Sequence, residues 1–319
     1  MKVVRPGTRV WVTGSAGVIG RELLTLLSAR GADVLSIDRV ALDAPRPGVR
    51  HLTLDLGAGD LDEVRAFAPE VVLHLAAAFE RSRETPEFWG HGWNDNVLAS
   101  HRVIEATAAL PSVSTFVFAS SYLLYDPSLY LFATPRSAPV LLQEEMPLAP
   151  RNLCGAAKWY AERELDFVRE HLSPNLRTVL PRIYRVYGRG SRDVVSRWVR
   201  AALRGEPIEV WNGASRFDYV YAGDVAAGIL CLADTEAAQG SVNLATGRAH
   251  SVDEMLATIA SRLPVPADTV KRVRVDEPFE ASAADVGRLR ALTGWSPQTT
   301  LEQGIDALIA YERAQGAPR

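Results

Sequence analysis

Val12-Thr13-Gly14-Ser15-Ala16-Gly17-Val18-Ile19-Gly20 stands between an apolar run, Arg9-Val10-Trp11-Val12, and a helical pattern, Arg21-Glu22-Leu23-Leu24-Thr25-Leu26-Leu27. A strand that enters a glycine-rich turn and leaves it as a helix is the context in which such a loop binds a dinucleotide. Gly14 permits the tight turn. Gly17 lets backbone N–H groups come close to a pyrophosphate, with Ala16, Val18 and Ile19 completing the loop, and Gly20 lets the helix pack on the strand. The helix N-terminus attracts the anion. A second mark follows: Val34-Leu35-Ser36-Ile37 reads as the next strand and ends on Asp38. A carboxylate about 20 residues past the loop takes the ribose hydroxyls of NAD. Arg39, next to it, is the residue type that accepts the 2′-phosphate of NADP, so both cofactors stay open on this pair, with Asp38 favouring NAD.

The chain has 319 residues, 47% hydrophobic and 23% charged, with a net charge of −3. These values describe an ordinary globular chain of one or two domains. No basic field draws it to nucleic acid, and no apolar run is long enough to cross a membrane. Cys154 and Cys231 lie far apart, and no His/Cys cluster has metal-ligand spacing, so neither a disulfide framework nor a metal site is expected. The N-terminus lacks the apolar core of a signal peptide, and the expected location is cytoplasmic.

Strand-like runs alternate with helical patterns through the first half, which predicts a parallel sheet covered by helices. After the loop come His51-Leu52-Thr53-Leu54, leading to Asp55-Leu56; Val71-Val72-Leu73-His74, leading to Leu75-Ala76-Ala77; Ser114–Ala119, leading to Ser120-Ser121-Tyr122; and Arg177–Leu180. Small residues at Ala76 and Ala77 let a flat ligand lie against backbone at the carboxyl end of the sheet. His74, inside a strand, reads as a packed core histidine. The long segment 126–150 is rich in proline and lacks periodicity, which predicts an irregular loop that could serve as a substrate lid. Pro181 is expected to leave the sheet and begin a smaller domain. Val242-Asn243-Leu244 returns to the main sheet, Ser251-Val252-Asp253-Glu254 opens a helix with a capping box, and helices follow over 285–292 and 300–311.

The Gly-x-x-Gly-x-x-Gly spacing preceded by Val-Thr resembles the short-chain dehydrogenase/reductase superfamily in its extended form. Later runs resemble the nucleotide-sugar epimerase and dehydratase members: His-Leu-Ala-Ala at 74–77, Val-Tyr-Gly at 186–188, Arg-Phe-Asp-Tyr-Val at 216–220 and Gly-Trp-Ser-Pro at 294–297. The resemblance implies a doubly wound Rossmann domain over 1–181 and 218–246, and a discontinuous substrate domain over 182–217 and 247–319. It also implies bound NAD, a nucleotide-diphosphate sugar as substrate, and a homodimer built on a four-helix bundle. Residue by residue, it places Asp55 and Leu56 at the adenine ring, with a turn or helix-cap aspartate as the alternative. Leu75, Ala76 and Ala77 fall beside the cofactor, Asn96 behind the active-site strand, and the aromatic stretch 79–93 in the loop leading to it. Arg216 falls on the substrate diphosphate. Arg185 replaces the usual Asn, either adding a second cation there or excluding the usual substrate.

The resembled active site is a Ser or Thr, a Tyr, and a Lys four residues after the Tyr. Ser121 and Lys158 match, but Cys154 stands at the tyrosine position. Three readings stay open. Cys154 supplies the acid/base, since a thiol beside a lysine is partly thiolate. Tyr122 supplies it, keeping the phenol chemistry; this choice is slightly favoured. Or the site binds its ligands without redox chemistry. Tyr122 and Leu123 stand where 4,6-dehydratases carry Asp-Glu, so that reaction is disfavoured. The expected function is an NAD-dependent nucleotide-sugar epimerase; the alternatives are a reductase or dehydratase of the same family and a non-catalytic dinucleotide-binding protein.

Overall fold

The computed structural model describes residues 3–78 and 85–316, so residues 79–84 of the expected aromatic loop lie outside the described residues. Strands β1 (Arg9–Thr13), β2 (Asp33–Asp38), β3 (Val49–Thr53), β4 (Val71–His74) and β5 (Thr115–Phe118) join Arg177–Ile183 and Gly240–Leu244 in one sheet. Its order is Gly240–Leu244, Arg177–Ile183, β5, β4, β1, β2, β3, with every neighbouring pair parallel. Alternation along the strands explains the two layers. Val10, Val12, Val34, Val71, Leu73 and Val117 face one core with helix α1 (Val18–Ala29) and helix Ala222–Asp234. Trp11, Leu35, Ile37, Val72, Phe116 and Phe118 face the other, with helices Ala99–Ala108 and Leu153–Phe167. A sheet buried on both faces needs near-continuous apolar strands, and the chain supplies them. The fold is therefore an α/β, Rossmann-like doubly wound sheet.

The strand that starts at Arg177 does not end before Pro181, as the sequence suggested, but runs on to Ile183. Its ladder with β5 stops at Val117↔Val179 and resumes at Ser120↔Arg182. Pro181 falls in that gap on the β5 side, where a missing N–H costs no rung.

Beyond the main sheet, Arg185–Tyr187, Arg216–Tyr221 and Ala249–Ser251 form a three-stranded sheet, and the 217/218 boundary read from the sequence falls inside one of its strands. Helices Val194–Arg204, Val252–Ala260 and Leu301–Ala314 enclose a separate core with it. The capping box at Ser251 and Glu254 forms as read, and Thr300 with Gln303 makes a second one. Segment 126–150 is not an irregular lid. Leu131–Phe132 pairs antiparallel with Phe279–Glu280, and Val140–Leu142 pairs parallel with Ser282–Ala284. Those partner strands are too short, and too distant in sequence, to be visible as periodicity. No helix among the described residues is long and apolar enough to cross a membrane.

Candidate functional site

The glycine loop turns as its spacing requires. Gly14 has φ +70°, and a Cβ there would lie 2.6 Å from the Ala76 backbone nitrogen. A Cβ on Gly20 would lie 2.3 Å from the Gly14 carbonyl oxygen, so the helix can cross the loop only without one. Gly17 is the N-cap of α1; it provides no side-chain cap, and the first turn carries no acidic residue. The amides at this terminus are therefore left for an anion, which the helix dipole favours.

These residues open onto a cavity of about 560 Å³ at the carboxyl ends of β1, β2 and β4. Gly14, Ala16, Gly17, Val18, Asp38, Arg39, Asp55, Leu56, Leu75, Ala76 and Ala77, all assigned to the cofactor from the sequence, line it. Ile19 instead packs against the core beneath α1, and Gly20 is buried under the loop, so neither forms a wall of the cavity. Asn96 is buried behind it. Its amide donates to the Ala78 carbonyl at 2.8 Å and accepts from the Ala78 N–H at 2.7 Å, fixing the extension of β4.

Asp38 is held at the cavity wall. One carboxylate oxygen accepts from Ala16 N at 2.9 Å and the other from Val40 N at 3.0 Å. Arg39 does not reach toward it: its guanidinium fork is taken by Asp95 at 2.8 and 3.0 Å. Asp55 lines the cavity and also accepts from Gly57 N at 2.8 Å as a turn residue.

The opposite wall went unread in the sequence. Arg189, Gly190, Ser191 and Arg192 fold back from the strand Arg185–Tyr187 and face Arg21 of α1. Arg189 grips Glu22 of α1 through both carboxylate oxygens at 2.6 Å. A Cβ on Gly190 would lie 3.1 Å from Arg21 Nη1, so the turn closes down on the helix. Carboxylates at one end and guanidiniums at the other match a ribose diol and a pyrophosphate in turn. The residues present thus fit a dinucleotide.

Lys158 lies beyond that cavity. It is buried, with its ammonium 4.5 Å from the centroid of the Phe118 ring. Burial lowers its pKa to about 8, opposed by attraction to Cys154 and Glu162. Cys154 and Lys158 share the helix Leu153–Phe167, four residues apart and on one face. Gly155 allows that helix to abut the Ser121 turn, since a Cβ there would lie 2.7 Å from the Leu123 carbonyl oxygen. Ser121 Oγ accepts from Leu123 N at 3.2 Å, leaving its O–H to donate elsewhere. Tyr122 takes another direction. Its ring stacks on Tyr184 with centroids 4.8 Å apart, and burial pushes its phenol up to about 12. The charges that act on it belong to Arg185, Glu280 and Arg151. The structure therefore groups Lys158 with Cys154 and sends Tyr122 to a different neighbourhood. His74 is the packed histidine expected: Thr13 Oγ1 lies 2.5 Å from Nδ1, Ser100 Oγ lies 3.0 Å from Nε2, and burial lowers its pKa to about 3. Arg216 pairs with Glu254 at 3.1 Å, while Arg185 rests on the Phe217 ring at 3.7 Å from its centroid. The two cations assigned to one diphosphate are thus held by different partners.

Comparison with known proteins agrees with this geometry. The UDP-glucose 4-epimerase of Mycolicibacterium smegmatis is 29% identical over 96% of this chain and 98% of its own. The structure of MoeE5 with UDP-glucose and NAD superposes with a TM-score of 0.82 at 28% identity, covering 96% of this chain and 99% of that one. The same protein has also been solved with UDP-glucuronic acid and NAD, at 29% identity and a TM-score of 0.81. The Thermus thermophilus UDP-glucose 4-epimerase complex with NAD gives 0.81 at 27% identity, covering 96% of this chain and 99% of that one. The family model for NAD-dependent epimerases and dehydratases matches residues 10–245. From loop, cavity and match together, the chain belongs to the NAD-dependent epimerase/dehydratase family.

Proposed function

We propose that the chain is a nucleotide-sugar epimerase that inverts one carbinol carbon and leaves the substrate at its original oxidation level. The observation that carries this reading is the second wall of the cavity, Arg189–Arg192, which is tied to α1 through Glu22. A cofactor covered from both sides is suited to staying bound through the cycle. Bound NAD supplies a hydride acceptor that becomes the donor on return.

The chain's own groups handle the rest. Gly14–Val18 and Asp38 would hold the dinucleotide, and Lys158 would secure its nicotinamide ribose. Cys154 is assigned as the acid/base, because it stands one turn before Lys158 on the same face of the helix Leu153–Phe167. The thiolate takes the proton of the sugar hydroxyl as that carbon becomes a carbonyl, and gives it back when the alcohol reforms. The Ser121 hydroxyl orients the same oxygen. Tyr122, raised to about 12, stays a neutral phenol and acts as a hydrogen-bond donor. Arg216 is assigned to the substrate diphosphate, where it would exchange Glu254 for phosphate oxygens. The division into 1–181 with 218–246, and 182–217 with 247–319, is proposed on the separate cores, with its boundaries moved to the ends of the strands Arg177–Ile183 and Arg216–Tyr221.

A homodimer is also proposed. Trp89, Trp93, Trp159, Tyr160 and Phe167 are exposed on or beside the helices of one face, an apolar area of the kind that marks an interface. Light scattering should give twice 34.8 kDa, and Trp159→Glu should give the monomer. A cytoplasmic setting rests on the sequence argument alone.

The test is turnover by the protein as isolated, without added cofactor, on UDP-glucose and UDP-glucuronic acid, followed by proton NMR for the inverted sugar. Cys154→Ala should abolish it and Tyr122→Phe should not. Absence of dinucleotide in the denatured protein, or stoichiometric build-up of NADH, would refute the epimerase reading.

A further inference from the structure

A second cluster of charge lies beside the reacting groups. Glu280 is 2% exposed, and its Oε2 is shared by Arg151 Nη1 at 2.5 Å and Arg185 Nη2 at 3.5 Å. Its Oε1 accepts from the Ser282 hydroxyl at 2.8 Å. Two guanidiniums thus converge on one carboxylate, and the cluster keeps one positive charge. Its walls are Tyr122, Tyr130, Tyr184 and Phe217, which offer little to solvate that charge. Both guanidiniums are partly exposed, so an anion arriving from solvent can reach this charge. Two polar atoms here, Tyr130 Oη and Arg185 Nε, are buried without a hydrogen-bond partner. Native proteins leave few such atoms, and two in one cluster point to a missing ligand.

The cluster is open on one side. Glu280 lies beneath, while the Arg151 and Arg185 side chains are 32% and 37% exposed. Phe217 supports the plane of Arg185 and Tyr130 lies under Arg151, so both forks are braced. The cluster is also joined to the chemical centre. Arg151 N donates to the Leu123 carbonyl at 2.9 Å, the carbonyl against which Gly155 packs. Tyr122 follows Ser121 directly, and Arg151 precedes Cys154 by three residues.

We propose that Arg151 and Arg185, braced by Glu280, form a subsite for an oxyanion of the substrate, a sugar carboxylate or a phosphate, with Tyr122 donating its phenol hydrogen to the same group. This rests on the nucleotide-sugar reading above. It makes an acidic sugar the substrate class if the oxyanion is a carboxylate, and makes this cluster a second diphosphate anchor besides Arg216 if it is a phosphate.

Calorimetry of the protein with its cofactor, using UDP, UDP-glucose and UDP-glucuronic acid, tests it. Arg151→Gln and Arg185→Gln should each weaken UDP-glucuronic acid at least tenfold. UDP and UDP-glucose unchanged within twofold would identify the carboxylate; an equal loss for all three would identify the phosphate. Glu280→Gln keeps both cations and removes the competing charge, so it should tighten the anionic ligand about threefold or more. If the wild type binds the nucleotides and none of the three variants alters binding, the subsite is overturned and the epimerase reading stands. If the wild type binds none of the nucleotides, that reading fails and the subsite falls with it.

Discussion

Three side chains on the cavity wall, Asp38, Arg39 and Asp95, make a prediction about cofactor selectivity on the proposed placement of the ribose beside Asp38. Asp38 is fixed by the Ala16 and Val40 amides, so it cannot swing away from a 2′-phosphate. Two like charges about 5 Å apart at an effective dielectric near 20 repel by roughly 3 kcal/mol, and solvent at the rim trims that to about 2 kcal/mol. NAD should therefore bind about 30-fold more tightly than NADP. Arg39 is the residue able to offset this, but Asp95 occupies both arms of its fork. The Arg39 side chain is 53% exposed, so the pair contributes under about 1 kcal/mol to stability and its loss should not unfold the protein. Asp95→Ala should release Arg39 toward the 2′-phosphate and recover about 1 kcal/mol of NADP affinity, narrowing the ratio roughly fivefold. Asp38→Ala should narrow it further, and Asp38→Ala with Asp95→Ala should favour NADP. Fluorescence titration of apoprotein with both reduced cofactors measures all four ratios. Tighter NADPH binding by the wild type, or a ratio untouched by Asp95→Ala, would show that this geometry does not set selectivity.

Lys158 makes a pH signature. Its folded pKa, about 8, lies below the ordinary 10.5, so between those values the unfolded chain binds the extra proton and stability rises with pH. Lys158→Met should flatten that rise and stabilise the protein at pH 7 by on the order of 3 kcal/mol, read from denaturant midpoints across pH 7–11; a parallel curve for the variant counts against a buried cation. Gly20→Ala should place a Cβ against the Gly14 carbonyl, costing roughly 1–3 kcal/mol and releasing the dinucleotide, seen as loss of bound absorbance after gel filtration; full retention would mean the loop yields freely. Arg216→Ala should weaken nucleotide-sugar binding by about 1.5–3 kcal/mol in calorimetry and leave cofactor affinity intact; unchanged sugar-nucleotide affinity removes Arg216 from the diphosphate site.

The cofactor half of the site was legible because it is built from local rules. A strand, a three-glycine turn and a helix N-terminus lie within 20 residues, and each glycine meets a neighbour that is close in sequence or on the adjoining strand. Asp38 and the Leu75–Ala77 run followed from the carboxyl ends of parallel strands, and the apolar alternation of β1, β2, β4 and β5 announced a sheet buried on both faces. What tertiary structure alone decided is who meets whom across long separations. Asp95 takes Arg39 from 56 residues away, Arg189 reaches Glu22 across 167, and Glu280 gathers Arg151 and Arg185 across 129 and 95. Segment 126–150 carries no pattern of its own because its order comes from strands near residue 280. The direction of Tyr122 was equally unreadable, since a side chain beside Ser121 can face Lys158 or the aromatic cluster, and packing against Tyr184 chose the cluster. Local sequence constrains backbone shape and burial through propensity and periodicity. The partner of a charged or aromatic side chain is set by the packed fold, where desolvation makes one arrangement far lower in free energy than the others.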